Sequence, residues 1–449
     1  MTLLAIAARR PDAVEADIRV LGGQEVAYFR LAGGRHRGAV GVDEGLTIEA
    51  VVRRAVDVGV PLVGVLATSG AEVTQGPASL HAWGRVAAAM AAASGVVPII
   101  LVVAGPCVSG PSLLLGLADV VVMTADASAY VSSPASVAAF TGASVDAVSL
   151  GGAAVHGLRS GVAALVVADE DGALEAAIHV LAFLPHNNMA EPTQWPTDDP
   201  IERVCSRAAA AVPQSATASY DVRVVVRDVV DDDELLELWP GFAPNLVTGF
   251  ATVDGRPVGV VANQPQALAG TLDIEASQKG ARFVQLCDSF NVPLLTFVDT
   301  PGFQPGKDIE WRGMIRKGAQ LVYAYAAATV PRVCVVLRKA YGGAYIVMDS
   351  KGLGNDHCVA WPNAEMAVMG APGAVQILHG RRDLSASERA DLEADYSARY
   401  CTPTIAAARG FVDDVIEPGK TREVVALALR ALRRKREQHP QRRHANEPL

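Results

Sequence analysis

Apolar residues recur at two periods along this chain. At Val52, Ala55 and Val56, and again at Phe283, Leu286, Cys287 and Phe290, they fall three and four apart, the spacing of one buried helix face. Each predicted helix runs into a Pro-led apolar segment, "VPLVGVLATSG" from Val60 and "VPLLTFVDTPG" from Val292. Further on come the unbroken runs "IILVV" at 99–103 and "VCVVL" at 333–337. A run with no polar face predicts a strand covered on both sides, as crossover α/β sheets require.

These two sets are one pattern written twice. An offset of 232 residues lays Pro61 on Pro293 and Gly70 on Gly302; an offset of 233 lays Pro98 on Pro331 and Gly110 on Gly343. Helix, strand, Gly-rich loop, helix, strand, Gly-rich corner is predicted in each copy. Between the copies, "LPHNNMAEPTQWPTDDPIERVCSRAAAAVPQSATASYDVR" is rich in Pro, Asn, Asp and Ser and reads as a linker. The boundary is placed near Cys205, giving domains 1–205 and 206–449. The end, "TREVVALALRALRRKREQHPQRRHANEPL", predicts an amphipathic helix with cations at its C-terminus.

Composition narrows the class. A chain of 449 residues exceeds one typical core, and half of it is hydrophobic with only 5% aromatic residues, a small-residue α/β profile. The net charge of −9 argues against a nucleic-acid partner. Six scattered cysteines form no C-x-x-C pair, so neither a zinc site nor a disulfide framework is expected, and a reducing cytoplasm is the expected setting. The opening "MTLLAIAARRPDAVEADIRV" is broken by Arg9 and Arg10 too early for a standard signal peptide. No stretch offers the ~20 uninterrupted apolar residues of a membrane span.

Candidate chemistry lies in the glycines. The loop "DTPGF" (Asp299 to Phe303) follows a strand, where ligands bind in open α/β sheets. The corner "YGGAY" follows the next strand, and a helix starting there aims the amides of Gly343 and Ala344 at one point, suited to an oxyanion. In the first copy the corner is "GPCVSGPS". Pro111 can open a helix but has no N–H, which leaves the amides of Ser109 and Gly110. No nucleophile elbow, P-loop, zinc-binding HExxH or dinucleotide fingerprint occurs. His81, His156, His357 and His379 show no carboxylate, Ser or Cys partner in sequence, and Asp299 reads as a loop cap before it reads as a base. The expected chemistry therefore runs on backbone amides.

Two long segments carry a resemblance. "APNLVTGFATVDGRPVGVVANQPQALAGTLDIEASQKGARFVQLCDSFNVPLLTFVDTPGFQPGKD" and "IRKGAQLVYAYAAATVPRVCVVLRKAYGGAYIVMDSKGLGNDHCVAWPNAEMAVMGAPGAV" resemble the carboxyltransferase subunits of biotin-dependent acyl-CoA carboxylases, the propionyl-CoA branch in particular. The resemblance implies two crotonase-like (ClpP/crotonase) β-β-α superhelix domains in tandem. It implies transfer of a carboxyl group from carboxybiotin, borne by a biotin carboxylase or biotin carrier protein subunit, to the α-carbon of an acyl thioester on coenzyme A or an acyl carrier protein. Biotin that has lost its carboxyl group takes the α-proton, consistent with the missing side-chain base.

By the same resemblance, Gly343 and Ala344 hold the biotin ureido oxygen and Ser109 and Gly110 the thioester oxygen. Tyr341, Gly342, Gly302, Phe303, Ser69, Gly70 and Ala71 supply the remaining ligand contacts, and no metal is implied. Ile346 brings an aliphatic side chain near the acyl pocket. Family members form hexamers with sites between opposed domains of paired subunits.

The first half departs from the family locally. A glycine of its corner is Ser109 and an alanine is Pro111; an acid of its coenzyme-side loop is Ala67, and an arginine there is Glu72, which reverses a charge that should favour a nucleotide. The family's stretch before the first helix is reduced to "GAVGVDEG", and its helical N-terminal extension has no counterpart. "LGGAAVHGLRSGVAALVV" and "LPHNN" still follow the family. Besides carboxyl transfer, two alternatives fit: decarboxylation of a malonyl-type thioester, and a non-catalytic subunit kept for assembly.

Overall fold

Pro61 and Pro293 cannot donate to a strand ladder, yet each supplies the carbonyl that begins one. Ala27 N–H donates to the Pro61 carbonyl and Gly259 N–H to that of Pro293, both at 2.8 Å. Pro98 and Pro331 do the same for Leu62 and Leu294. The prolines thus fix where parallel strands start without breaking them.

The structure is a computed structural model describing residues 14–448 apart from 32, 34, 216, 436, 438, 442 and 445. Most of the N-terminal stretch weighed as a signal peptide lies outside the described residues. The chain forms two compact units. One runs to Thr193 and takes in Trp239–Phe242 and Ser289–Asn291; the other starts at Gln194 and holds the rest.

In the first unit the elements are β1 (Glu15–Leu21), β2 (Gln24–Leu31), α1 (Val42–Val58), β3 (Leu62–Thr68), α2 (Pro77–Ala93), β4 (Ile99–Val108), β5 (Val120–Thr124), β6 (Ser128–Tyr130), β7 (Leu165–Val167) and α3 (Glu170–Phe183). The sheet order is β1-β2-β3-β4-β5-β7, with β6 beside the end of β4. Only β1 and β2 pair antiparallel.

The second unit carries β8 (Leu236–Leu238), β9 (Leu246–Val253), β10 (Arg256–Asn263), α4 (Ile274–Ser289), β11 (Leu294–Thr300), α5 (Met314–Ala327), β12 (Arg332–Tyr341), α6 (Gly342–Val347), β13 (His357–Ala360), β14 (Glu365–Ala367), β15 (Asp414–Val415) and α7 (Thr421–Leu432). Its order is β8-β9-β10-β11-β12-β13-β15, with β14 beside the end of β12. From β9 onward it repeats the first sheet strand for strand.

The repeat extends to irregularities. The β3–β4 register breaks between Leu66 and Thr68, and the β11–β12 register breaks between Val298 and Thr300. An isolated bridge joins Val40 to Ala71 in one unit and Leu272 to Phe303 in the other. Left-handed residues His36 and Arg37 (φ 53 and 59) match Leu268 and Ala269 (φ 47 and 53) at the same offset. The stretch "GAVGVDEG" thus follows the backbone path of "GTLDIEAS", although its sequence reads as a reduced version of the family's.

Both predicted runs, 99–103 and 333–337, are fully buried, as are Val52 and Ala55 on α1 and Phe283, Leu286 and Cys287 on α4. The segment read as a linker needs correction: it holds a helix at Ser206–Ala211, and Cys205 and Ala208 are buried in the second unit's core. Small residues hid this, because an Ala run shows no contrast between faces. The predicted C-terminal helix is α7, which buries Val425, Ala426 and Leu429. Its Arg422 is also fully buried, donating to Asp231 Oδ1 at 2.6 Å and to the Val229, Pro200 and Asp199 carbonyls.

All six cysteines are free and buried. Among the described residues no helix is long and apolar enough to cross a membrane, and no group of three or more His, Cys, Asp or Glu residues could hold a metal ion.

Candidate active site

In the second unit, β12 ends at Tyr341 and α6 begins at once. Gly342 sits at φ 60, left-handed backbone that glycine adopts without strain, and a Cβ there would lie 3.1 Å from the Val368 carbonyl. The turn aims the chain so that the first amides of α6, including those of Gly343 and Ala344, lack intrahelical acceptors. A Cβ built on Gly343 would meet only the Phe303 ring, at 3.6 Å. The Gly302–Phe303 loop after β11 and the corner after β12 therefore lie side by side.

Phe303 packs on Ile274, Ile309 and Met314. Gly302, at φ 144, has open space where a Cβ would be, and its N–H donates to Thr300 Oγ1 at 3.4 Å. Tyr341 donates its O–H to Glu365 Oε2, and burial together with that carboxylate pushes the phenol pKa up. Ile346 is partly exposed two residues past Ala344.

Asp299 is an anchor rather than a base. It is fully buried and accepts from Tyr220 O–H at 2.9 Å, Arg338 Nε at 3.0 Å and the Lys339 amide at 3.1 Å. With its oxygens so occupied, the carboxylate ties the end of β11 to β12.

The first unit builds the same corner with different residues. Here β4 ends at Val108 and Gly110–Leu117 forms a 3₁₀ helix with Pro111 in its first turn, instead of an α-helix. Ser109 occupies φ 64, ψ −154, a region open essentially to glycine alone. Its twin by position is Gly342. The expectation that the Ser109 amide is available to a ligand is corrected: this N–H donates to the Tyr130 carbonyl at 2.9 Å, extending the β4–β6 ladder.

Ser69, Gly70 and Ala71 lie beside this corner. Gly70 is at φ 105, its N–H bonds Thr68 Oγ1 at 3.1 Å, and a Cβ there would come within 2.9 Å of Ser109 Cβ. On the other side stands Trp83, which sequence reasoning missed. A Cβ on Gly110 would fall 2.8 Å from its indole, and Trp83 Nε1 is buried without a hydrogen-bond partner. The signal was present in the repeat, where Trp83 falls on Ile315.

Glu72 does not project its charge into the loop. Its Oε1 accepts from Thr74 N–H at 3.0 Å and Thr74 Oγ1 at 2.7 Å, while Oε2 pairs with His36 Nδ1. The Thr74 hydroxyl, then His36, hold the carboxyl pKa down to about 2. His156 also has a partner that the sequence reading missed. Its Nε2 faces the Ala129 carbonyl, to which Nε2–H donates, and Nδ1 faces Ser160 Oγ, each at 2.7 Å.

Known proteins share this architecture. Residues 12–447 match the family described as the carboxyl transferase domain. The chain is 46% identical over 406 residues to the propionyl-CoA carboxylase carboxyltransferase subunit of Haloferax mediterranei, covering 89% of this chain and 78% of that protein. It is 40% identical over 413 residues to methylmalonyl-CoA decarboxylase subunit alpha of Veillonella parvula, covering 92% and 80%. The crystal structure of the transcarboxylase 12S hexamer, with methylmalonyl-coenzyme A and methylmalonic acid bound, superposes at a TM-score of 0.94 and 40% identity over 97% of this chain and 85% of that one.

The tandem crotonase-like fold that the resemblance implied is thus the fold of this chain. Along its altered first half as well as its second, the chain belongs to the carboxyl transferase domain family.

Proposed function

We propose that this protein moves a carboxyl group between biotin carried on a partner protein and the α-carbon of an acyl-CoA thioester. In this reading the second unit holds the biotin and the first unit the thioester. The observation that carries it is the pair of matched corners, each set by a left-handed residue at the end of the fourth strand of its sheet repeat. Donors converging at a strand end suit an oxygen that gains charge during reaction.

Biotin, when bound in its carboxylated form, supplies the carboxyl group and afterwards a base for the α-proton. The chain's residues bind and orient. Gly343 and Ala344 offer first-turn amides, and Gly343, with no side chain, leaves its face of the corner bare up to the Phe303 ring. Gly302 and Tyr341 border the same place. Ser69, Gly70 and Ala71 flank the thioester side, where the Glu72 carboxylate is held by Thr74 and His36 rather than offered to coenzyme A. The transcarboxylase 12S relative is described as a hexamer, and we extend oligomeric assembly to this chain.

A second reading rests on the Veillonella relative, a decarboxylase subunit by name. Loss of CO2 from a malonyl-type thioester leaves the same enolate for the first corner to stabilise.

One assay decides. Incubation with a carboxylated biotin carrier and a panel of CoA and carrier-protein thioesters is read by mass. Gain of a carboxyl group by a CoA thioester is expected. Loss of CO2 from malonyl-type thioesters without biotin supports the second reading, and no change in any thioester points to an assembly role. Gly343→Pro removes one donor and should lower transfer about 10²-fold. Undiminished transfer by the folded variant would sink the assignment of that corner.

A further inference from the structure

The two corners are equivalent in backbone but not in donors. Ser109, Gly110 and Pro111 occupy the places of Gly342, Gly343 and Ala344. Pro111 has no N–H where Ala344 has one, and the Ser109 amide is engaged by the Tyr130 carbonyl. Only the Gly110 amide is left where the second corner offers two. A single donor is a poor match for an oxygen that develops charge in a low-dielectric site.

One group at this corner is placed to make up the deficit. Ser109 is exposed, and the hydrogen bonds at the corner run to its backbone: the N–H donates to Tyr130, and the carbonyl accepts from Ser112 N–H at 3.0 Å and Ser112 Oγ at 2.7 Å. The hydroxyl takes part in none of them. It faces the thioester-side loop, 3.6 Å from where a Cβ on Gly70 would be. Trp83 Nε1 is the other unpaired donor nearby, but it is packed out of reach. Ser109 Oγ is accessible.

The side chain also stands where glycine would be easier. At φ 64, ψ −154 a Cβ is strained, at a typical cost that glycine would remove. A strained position that holds an accessible, unpaired hydroxyl beside a donor-poor corner calls for a role for that hydroxyl.

We propose that Ser109 Oγ–H is the second hydrogen-bond donor to the thioester oxygen, working beside the Gly110 amide in place of a backbone N–H. This rests on the reading of the first unit as the acyl-thioester side. The ligand class is an acyl-CoA thioester or its enolate, held through its carbonyl oxygen.

Two variants and two readouts test it. Ser109→Ala keeps the strain and deletes the donor, so kcat for carboxyl transfer should fall about 10²-fold with little change in KM. Ser109→Gly should melt about 2–6 °C higher through relief of strain, yet be as slow as Ser109→Ala. A purely structural serine would move stability and turnover together; a Ser109→Gly variant both more stable and fully active overturns the proposal.

The second readout needs no turnover. Wild type should bind propionyl-CoA about 10-fold more tightly than the thioether S-propyl-CoA, which lacks the carbonyl oxygen, and Ser109→Ala should lose that preference. Preserved discrimination in Ser109→Ala refutes the role of the hydroxyl, whatever the turnover. Lost discrimination in a protein that transfers no carboxyl group upholds the hydroxyl as donor and refutes the carboxyltransferase reading instead.

Discussion

Among single residues, buried charges set conditions that the corners must live with. Lys279 on α4 is almost fully buried, its Nζ 3.4 Å from the Ala243 carbonyl, and burial pulls its pKa down to about 7, with Glu237 opposing and Arg223 assisting. A lysine whose folded pKa lies below its unfolded value of about 10.5 binds fewer protons when folded over that range. Stability should therefore rise with pH between about 7 and 10.5, by about 1 kcal/mol per unit, and be flat below. Lys279→Met should remove this slope in urea unfolding measured from pH 6 to 9.5; an unchanged slope would show that another group causes it. Nothing in the sequence marks this lysine, because it follows Gln278 on a helix whose other apolar spacings are regular.

At the scale of elements, most of the design was legible in advance. Unbroken apolar runs gave the central strands, and the offset between copies gave their order, since strands buried on both faces must repeat together. What stayed hidden is nonlocal. The capture of the Ser109 amide by Tyr130 depends on β6 pairing with β4, and no local pattern near Ser109 announces it. Pro111 was read as opening a helix, which it does, though in 3₁₀ form. The role of Asp299 was likewise only half legible, because its partners Tyr220 and Arg338 come from distant segments. Asp299→Ala leaves Arg338 buried without its carboxylate and should cost the fold about 3–5 kcal/mol in chemical denaturation. A loss below ~1 kcal/mol would mean that β11 and β12 are held at this end by other contacts.

For the molecule as a whole, duplication is the organising fact. Two sheets share strand order, a register break and a left-handed turn, yet one corner keeps glycines while the other has acquired serine and proline. The second copy adds β8; the first carries the departures from its family. That division explains why the resemblance was long and unbroken in the second half and patchy in the first, even though both halves fold alike. On the proposed reading, the question of substrate falls in the first unit, at Ser69–Ala71 and Ser109–Pro111.

The register break at the end of β3 and of β11 has one more consequence. Since the same rung is skipped in both sheets, the corner that follows is delivered at a fixed height by the ladder, whatever its side chains. Exchange of one corner for the other tests this. A chimera with Tyr-Gly-Gly-Ala in place of Val108–Pro111 should fold with an unchanged circular dichroism spectrum and gain one amide at position 111, giving that corner two donors. If its choice among acyl thioesters matches the parent's, selectivity is written in the surrounding loops; if it shifts, four residues are the lock.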